Sequence, residues 1–321
     1  MIDFRYHLVS LVAVLLALAT GIALGAGPLQ GPLSERLVDQ AERDRLSAAE
    51  LRAELVGVQD RIEFADAYAA GTAGAVAGGR LAGRTVSIVS LPGADSGDVR
   101  GLRERVVAAG GSVVSTVALS SDLLDPANRL TAESLAEGLT RYFTAPDGAG
   151  SYQLLGAAYA RAFLTRSGEP VVQDNGAIGI EAALTEAEFV RVDDEVERRA
   201  QLALVVAGDP PGDAVEGQAD VAAELAGALD AGSLGTVVAG PPAAAEAGAV
   251  LAVRESAAGD DVSTVDTVDV TAGRVVTILA LAEQVAGGAG QYGQHDAADG
   301  AVPETAPSGA GGDAAAAGGG R

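Results

Sequence analysis

The sequence predicts an α/β protein in which a transmembrane helix and a coiled-coil stalk precede a Rossmann-like or flavodoxin-like domain with an open parallel sheet. Three observations predict this order. An uncharged apolar run lies near the N-terminus, a charged stretch with an apolar heptad repeat follows, and β-branched runs then alternate with helical patterns. The expected segments are an anchor (1–27), a stalk with a hinge (28–79), an extracytoplasmic α/β domain (80–287) and a disordered Gly/Ala-rich tail (288–321).

The anchor is predicted from residues 8–26, which carry no charge. At about 1.5 Å per residue they form a helix of about 28 Å, close to the ~30 Å hydrocarbon core of a bilayer. Arg5 favours a cytoplasmic N-terminus, so the rest of the chain is expected outside the cytoplasm. A signal peptide cleaved after Gly25 is the alternative, and it would release the protein to the cell envelope or an outer membrane. The predicted anchor side chains are Leu8, Leu11, Leu15, Leu16, Leu18, Ile22 and Leu24.

The stalk is predicted as a helix over residues 34–70, with Ser34 as its N-cap. Apolar and small residues recur at alternating three- and four-residue steps, and Arg and Glu lie on both sides of them. A parallel homodimer is favoured, because two anchors in one membrane start both helices at the same level. The alternative is one amphipathic helix that packs on its own domain. We expect a hinge at residues 71–79. The predicted dimer seam consists of Leu37, Leu51, Leu55, Val58 and Ile62.

Strand and helix patterns alternate through the α/β domain. Strands are predicted at 85–91, 112–119, 202–207 and 236–239, with an extended segment at 262–270. Helices are predicted at 98–109, 130–143, 152–164, 220–229, 243–256 and 271–286. Continuous apolar strands joined by helices are typical of a parallel sheet that is covered on both faces. From Gly287 the periodicity ends and the composition indicates disorder.

Composition excludes several classes of site. The 321 residues carry 21 basic and 44 acidic side chains, a net charge of −23, and so acidic a chain repels the backbone of nucleic acids. The absence of cysteine excludes disulfides and thiolate ligands. Lysine is also absent, and only His7 and His295 supply an imidazole. A catalytic triad, a P-loop lysine and a Schiff base are therefore excluded, and we expect neither enzyme activity nor a cofactor.

Three further features could form sites, and a structural role is favoured for each. Residues 288–293 match G-x-G-x-x-G but follow a helix instead of a strand. The loop at 92–97 could hold an anion, yet Asp95 and Asp98 would repel it. Two acidic clusters lack the spacing of a calcium loop, so a solvated surface is favoured over a weak cation site. These clusters are Asp193, Asp194, Glu195 and Glu197, and Asp260, Asp261, Asp266 and Asp269.

Two blocks of sequence resemble a known family. Residues 2–11 (IDFRYHLVSL) with 21–25, and the last predicted helix with its exit at 291–293 (QYG), are similar to the actinobacterial MctB copper-transporter family. The resemblance implies a non-enzymatic envelope protein with a role in copper transport or homeostasis, described as channel-forming in an outer membrane. A corynebacterial relative implies the alternative of a dimeric scaffold that regulates cell division or peptidoglycan hydrolases through protein partners.

The residues offer copper few ligands. Copper(I) prefers sulfur or imidazole, and the candidates Met1, His7 and His295 are widely separated in the chain. One membrane helix cannot line a pore alone. Copper is therefore expected only through the resemblance, no metal-binding residue is assigned, and any copper role is expected to act through a partner or the state of the envelope.

Overall fold

The computed structural model describes residues 4–25, 30–193, 195–210, 212 and 215–304. For residues 4, 5, 24, 25 and 30–38 it describes the backbone only. The contacts of the chain fall into two compact units, Met1–Phe64 and Ala65–Arg321.

The first unit is helical. Helix α1 (Phe4–Gly25) contains the window Tyr6–Ala23, which is long and apolar enough to cross a membrane. Helix α2 (Gln30–Ala77) follows and ends inside the second unit. Because α2 begins at Gln30, the prediction of Ser34 as its N-cap is wrong.

The hinge predicted at 71–79 is also wrong over most of its length. Helix α2 runs through Gly71 and Gly74, and only Gly78 and Gly79 lie in the turn beyond it. Glycine inside a helix costs about 1 kcal/mol relative to alanine. Ala73 and Ala77 of the same segment are buried in the core of the second unit, and this packing outweighs the glycine cost.

The second unit contains a seven-stranded sheet in the order β4-β2-β1-β6-β7-β8-β9. Strand β4 is antiparallel to β2, and the other pairs are parallel. The α/β class and a mostly parallel sheet are thus confirmed, whereas the Rossmann-like topology stays a prediction. A separate antiparallel pair joins β3 and β5. The strands are β1 (Thr85–Ser90), β2 (Ser112–Leu119), β3 (Val171–Val172), β4 (Val190–Val192), β5 (Arg198–Arg199), β6 (Leu202–Val206), β7 (Thr236–Ala239), β8 (Ser263–Val265) and β9 (Gln291–Tyr292).

Helices cover both faces of this sheet, as continuous apolar strands predict. Along β1, Val86 and Ile88 face a layer with α3, α11 and the end of α2, while Val89 faces the layer with α5 to α8. Fully burying a large apolar side chain stabilises a fold by about 1.5–3 kcal/mol. The helices are α3 (Ser96–Ala108), α4 (Ser121–Leu124), α5 (Arg129–Leu139), α6 (Ser151–Phe163), α7 (Asn175–Glu186), α8 (Gln218–Ala231), α9 (Pro242–Ala247), α10 (Ala249–Glu255) and α11 (Thr271–Val285).

Two other sequence predictions are wrong in part. The helix predicted at 243–256 is divided into α9 and α10 at Gly248, where a Cβ would lie only 2.9 Å from the Cα of Ala244. The extended segment predicted at 262–270 contains only the short strand β8.

The tail predicted from residue 288 is folded over 288–304, and residues 305–321 lie outside the described residues. Strand β9 pairs with β8. Side chains of β8 hold this segment: the backbone N–H of Gly290 donates to Ser263 Oγ at 3.2 Å, and Thr264 Oγ1 donates to Gln291 Oε1 at 2.6 Å. These contacts come from a strand far back in the chain, which is why composition alone predicts disorder.

Candidate functional site

Six of the seven predicted anchor side chains are described, and they are exposed on all sides of α1. The Thr20 hydroxyl donates to the carbonyl of Leu16 at 2.7 Å, so this polar group is satisfied within the helix. A helix that is apolar all round suits a lipid environment. The same features fit a signal sequence. The side chain of Leu24 lies outside the described residues, and the other six anchor side chains are Leu8, Leu11, Leu15, Leu16, Leu18 and Ile22.

The predicted dimer seam lies on α2. Leu51, Leu55, Val58 and Ile62 follow steps of four, three and four residues, so they share one stripe, and their exposed fractions run from 44% to 67%. The side chain of Leu37 is outside the described residues. The stripe is uncovered in a single copy of the chain. Coiled-coil pairing itself stays a prediction.

A crevice of about 260 Å³ lies beyond the carboxyl ends of β1 and β6. In the sheet, β2 lies on one side of β1 and β6 lies on the other, so the strand order changes direction at this point. Open α/β sheets bind their ligands at such a position. The loop after β1 and the loop after β6 are in backbone contact, because a Cβ at Gly208 would lie 2.0 Å from the carbonyl oxygen of Gly93. Apart from Asp209, Glu216 and Gln218, the lining is apolar, and nothing in it selects a ligand.

The N-terminus of α3, next to this crevice, is already occupied. Asp95 Oδ1 accepts hydrogen bonds from the N–H groups of Gly97 at 2.7 Å and Asp98 at 3.2 Å. Gly93 has φ +84, which the turn before this helix requires. The structural role predicted for the loop at 92–97 fits this arrangement, because a carboxylate takes the place an anion would occupy.

Among the described residues, neither acidic cluster forms a group that could hold a metal ion. Asp193 pairs with Arg191 at 3.3 Å on the surface, and Asp194 is outside the described residues. Asp266 is fully buried, so the prediction of a solvated surface is wrong for this residue. It follows strand β8 directly and forms an ion pair with Arg254 of α10 at 3.0 Å.

The Arg254–Asp266 pair is a polar centre that sequence reasoning missed. Their side chains are only 3% and 0% exposed. Arg254 Nε donates to Thr264 Oγ1 at 2.7 Å and its Nη2 to the Tyr292 carbonyl at 3.0 Å. Asp266 in turn accepts from the backbone of the segment after β9. An acid placed directly after a buried strand was the available signal.

That segment can close over Asp266 because residue 293 is glycine. Gln294 N donates to Asp266 Oδ1 at 2.8 Å, and His295 N donates to Oδ2 at 3.2 Å. Gly293 has φ +138, and a Cβ there would lie 1.8 Å from Asp266 Oδ1. The glycines predicted to be structural at 288–293 therefore include one that lets the backbone approach a buried carboxylate.

The described residues bring no three His, Asp or Glu side chains together as a metal site. His7 belongs to the first unit and His295 to the second. His295 Nδ1 accepts a hydrogen bond from Ala297 N at 3.1 Å, which leaves one ring nitrogen for any other ligand. A single imidazole without sulfur is a poor copper(I) site.

Comparison with known proteins gives consistent matches over nearly the whole chain. A family model described as "Copper transport outer membrane protein, MctB" matches residues 1–303. Proteins named "Copper transporter MctB" from Mycobacterium tuberculosis and Mycobacterium bovis are 29% identical over 307 residues, covering 91% of this chain and 96% of each relative. The protein of that name from Mycobacterium leprae is 29% identical over 321 residues, covering 95% of this chain and 100% of the relative.

Proposed function

The chain belongs to the MctB family, and from this membership we propose that it acts in copper transport or copper homeostasis at the cell envelope. The match over residues 1–303 is the observation that carries the proposal. The relatives are named as transporters, which favours a role without enzyme activity. They give no support to the alternative of a cell-division scaffold.

Copper enters this proposal as cargo. The described residues hold neither a cysteine nor a cluster of ligands that would retain copper(I). One apolar helix offers lipid-facing side chains but no polar path for an ion. We therefore propose that copper moves through an assembly of several chains or with a partner, and that the α/β domain contributes contacts to that assembly.

Deletion of the gene tests the role. We expect a strain that lacks it to change its cellular copper content under copper load, measured by mass spectrometry, and the native gene to restore the content. A matched variant in which α1 is replaced by an unrelated membrane helix separates anchoring from a specific role of this segment. Unchanged copper content after deletion, across a range of copper concentrations, would contradict the proposal.

We also propose that α1 is an uncleaved anchor and that the second unit lies outside the cytoplasm. The apolar surface of α1 supports anchoring. Mass spectrometry of the mature protein distinguishes an anchor from a cleaved signal, because cleavage after Gly25 removes 25 residues. External protease on spheroplasts should degrade the second unit while a cytoplasmic marker survives; survival of both would show the opposite orientation.

The exposed stripe on α2 supports a homodimer as the working form. Covering an apolar surface contributes roughly 25 cal/mol per Å², and the steps of three and four residues suit a parallel pair. Replacing Leu55 and Ile62 together by Glu places like charges in the seam and should give monomers of the full chain in detergent, measured by light scattering. The native chain should be dimeric at concentrations on the order of tens of micromolar.

A matched control is available on the same helix. Leu46 and Phe64 are as exposed as the seam residues but lie outside the repeat. Their joint replacement by Glu adds the same charge and should leave the dimer intact. A native chain that is monomeric under these conditions, or an equal loss in both double variants, would refute dimerisation through the seam.

A further inference from the structure

Two arginines lie near one carboxylate where α6, α7 and β5 meet. Arg161 Nη2 donates to both carboxylate oxygens of Asp174, at 2.8 and 2.7 Å. Asp174 also caps α7 by accepting from Ala177 N at 2.9 Å. Arg199 of β5 lies near enough to interact electrostatically with both Arg161 and Asp174. The carboxylate balances only one of the two positive charges.

The arginines also have hydrogen-bond donors that the protein does not use. Arg161 Nη1 and Arg199 Nε are buried and have no hydrogen-bond partner among the described residues. A buried donor without an acceptor costs about 1–3 kcal/mol. Burial, and then the like charge of Arg161, lower the pKa of Arg199. A guanidinium nevertheless stays protonated in proteins, so an anion is the group that would stabilise this pair.

Two glycines of α7 let Arg161 and Tyr142 approach this helix closely. A Cβ at Gly176 would lie 3.1 Å from Arg161 Nη2 and 3.1 Å from Asp174 Oδ1. At Gly179 a Cβ would lie 3.1 Å from the hydroxyl of Tyr142. The guanidinium of Arg141 lies over the Tyr142 ring, 4.7 Å from its centroid. A third positive charge and a hydroxyl therefore lie close to this part of α7.

We propose that Arg161 and Arg199 form a binding site for a phosphate group. Two guanidinium groups and one carboxylate leave one net positive charge at this position, and Asp174 already caps the N-terminus of α7. That charge suits an anion, and the planar guanidinium fork suits phosphate oxygens. An excess of positive charge is unexpected by chance in a chain of net charge −23. The recognised chemistry is the phosphate itself, free or carried as an ester.

Calorimetric titration of the full chain in detergent micelles tests the site. Inorganic phosphate and glycerol phosphate are the two probes, at pH 8, where both are dianions. We expect saturable binding of at least one probe. Tighter binding of the ester would identify a carried phosphate as the natural form, and equal or weaker binding would identify the free ion.

Arg199 and Arg198 provide a matched pair of variants on β5. R199Q removes the unpaired guanidinium and should weaken phosphate binding about tenfold or more. R198Q removes the same net charge from the exposed neighbour and should bind as the native chain does. R199K keeps the positive charge but lacks the planar guanidinium, so its phosphate affinity should lie between those of R199Q and the native chain. This variant also keeps the test decisive if R199Q does not fold. Absence of saturable binding, or equal losses in R198Q and R199Q, would overturn the proposal.

Discussion

Replacing Asp266 by Asn leaves the guanidinium of Arg254 as a buried charge without a counter-charge. The Arg254 side chain is only 3% exposed, and breaking a buried ion pair from one side costs about 3–5 kcal/mol. Asn keeps one oxygen as an acceptor, so we expect the lower end, about 3 kcal/mol. For a domain of this size each kcal/mol moves the melting temperature by about 2–4 °C. Thermal unfolding followed by circular dichroism should therefore show a fall of about 6–12 °C.

The loss should be accompanied by release of the segment after β9, because Gln294 and His295 donate their backbone N–H groups to Asp266. Limited proteolysis should cut D266N in this segment sooner than the native chain. Asp299→Asn is the matched control: its exposed carboxylate accepts from Gln291 N at 2.8 Å, and it should stay within about 0.5 kcal/mol of the native chain. A loss below about 1 kcal/mol in D266N would refute the reasoning about the buried charge.

Three further outcomes are expected. Asp66 Oδ1 accepts a hydrogen bond from Thr271 N at 2.9 Å and caps α11, because the N-cap residue Val270 has no side chain that could do so. D66A should therefore lower the free energy of unfolding by about 1 kcal/mol. The control E63A, at an exposed position, should leave the free energy of unfolding unchanged. Burial raises the pKa of Asp230 to about 6, and the negative charge of Asp261 adds to this shift. The folded state therefore binds the proton of this carboxyl more tightly than the unfolded state does. As a result, the stability of the fold decreases as the pH rises from about 4 to 6. When the energy of this pKa shift is reduced by about half for solvent screening, D230N should increase the free energy of unfolding by about 1 kcal/mol at pH 7 and leave it unchanged at pH 4. Urea titrations at both pH values measure this, and equal increases at the two pH values would contradict the prediction. Finally, the full chain should lose copper(I) to a chromogenic chelator, and stoichiometric retention would contradict the expectation that the chain holds no copper(I) site.

The sequence predicts the elements that local pattern determines. The uncharged run of α1 and the apolar strands β1, β2, β6 and β7 are recognisable because each is long or continuously apolar. Strands β4 and β9 contain three and two residues. Their conformation depends on pairing with β2 and β8, so a local pattern cannot show it.

The polar centres could not be predicted for the same reason. Arg254 and Asp266 lie on different elements, and Arg161 and Arg199 come from α6 and β5, so their proximity arises only in the folded chain. The hinge prediction at 71–79 relied on glycine alone and could not include the burial of Ala73 and Ala77. The exclusion of thiolate ligands needs no structure, because the sequence contains no cysteine.

The central place of β1 in the sheet also determines how the chain must be made. Its first neighbour, β2, follows at once, but its other edge pairs with β6, and the hydrogen bond between Thr85 and Gln201 spans 116 positions. Until β6 has been synthesised, a continuously apolar strand presents an unpaired edge. Such edges recruit other chains. We therefore expect a nascent chain that ends before residue 202 to expose an edge of β1 that favours pairing with other chains.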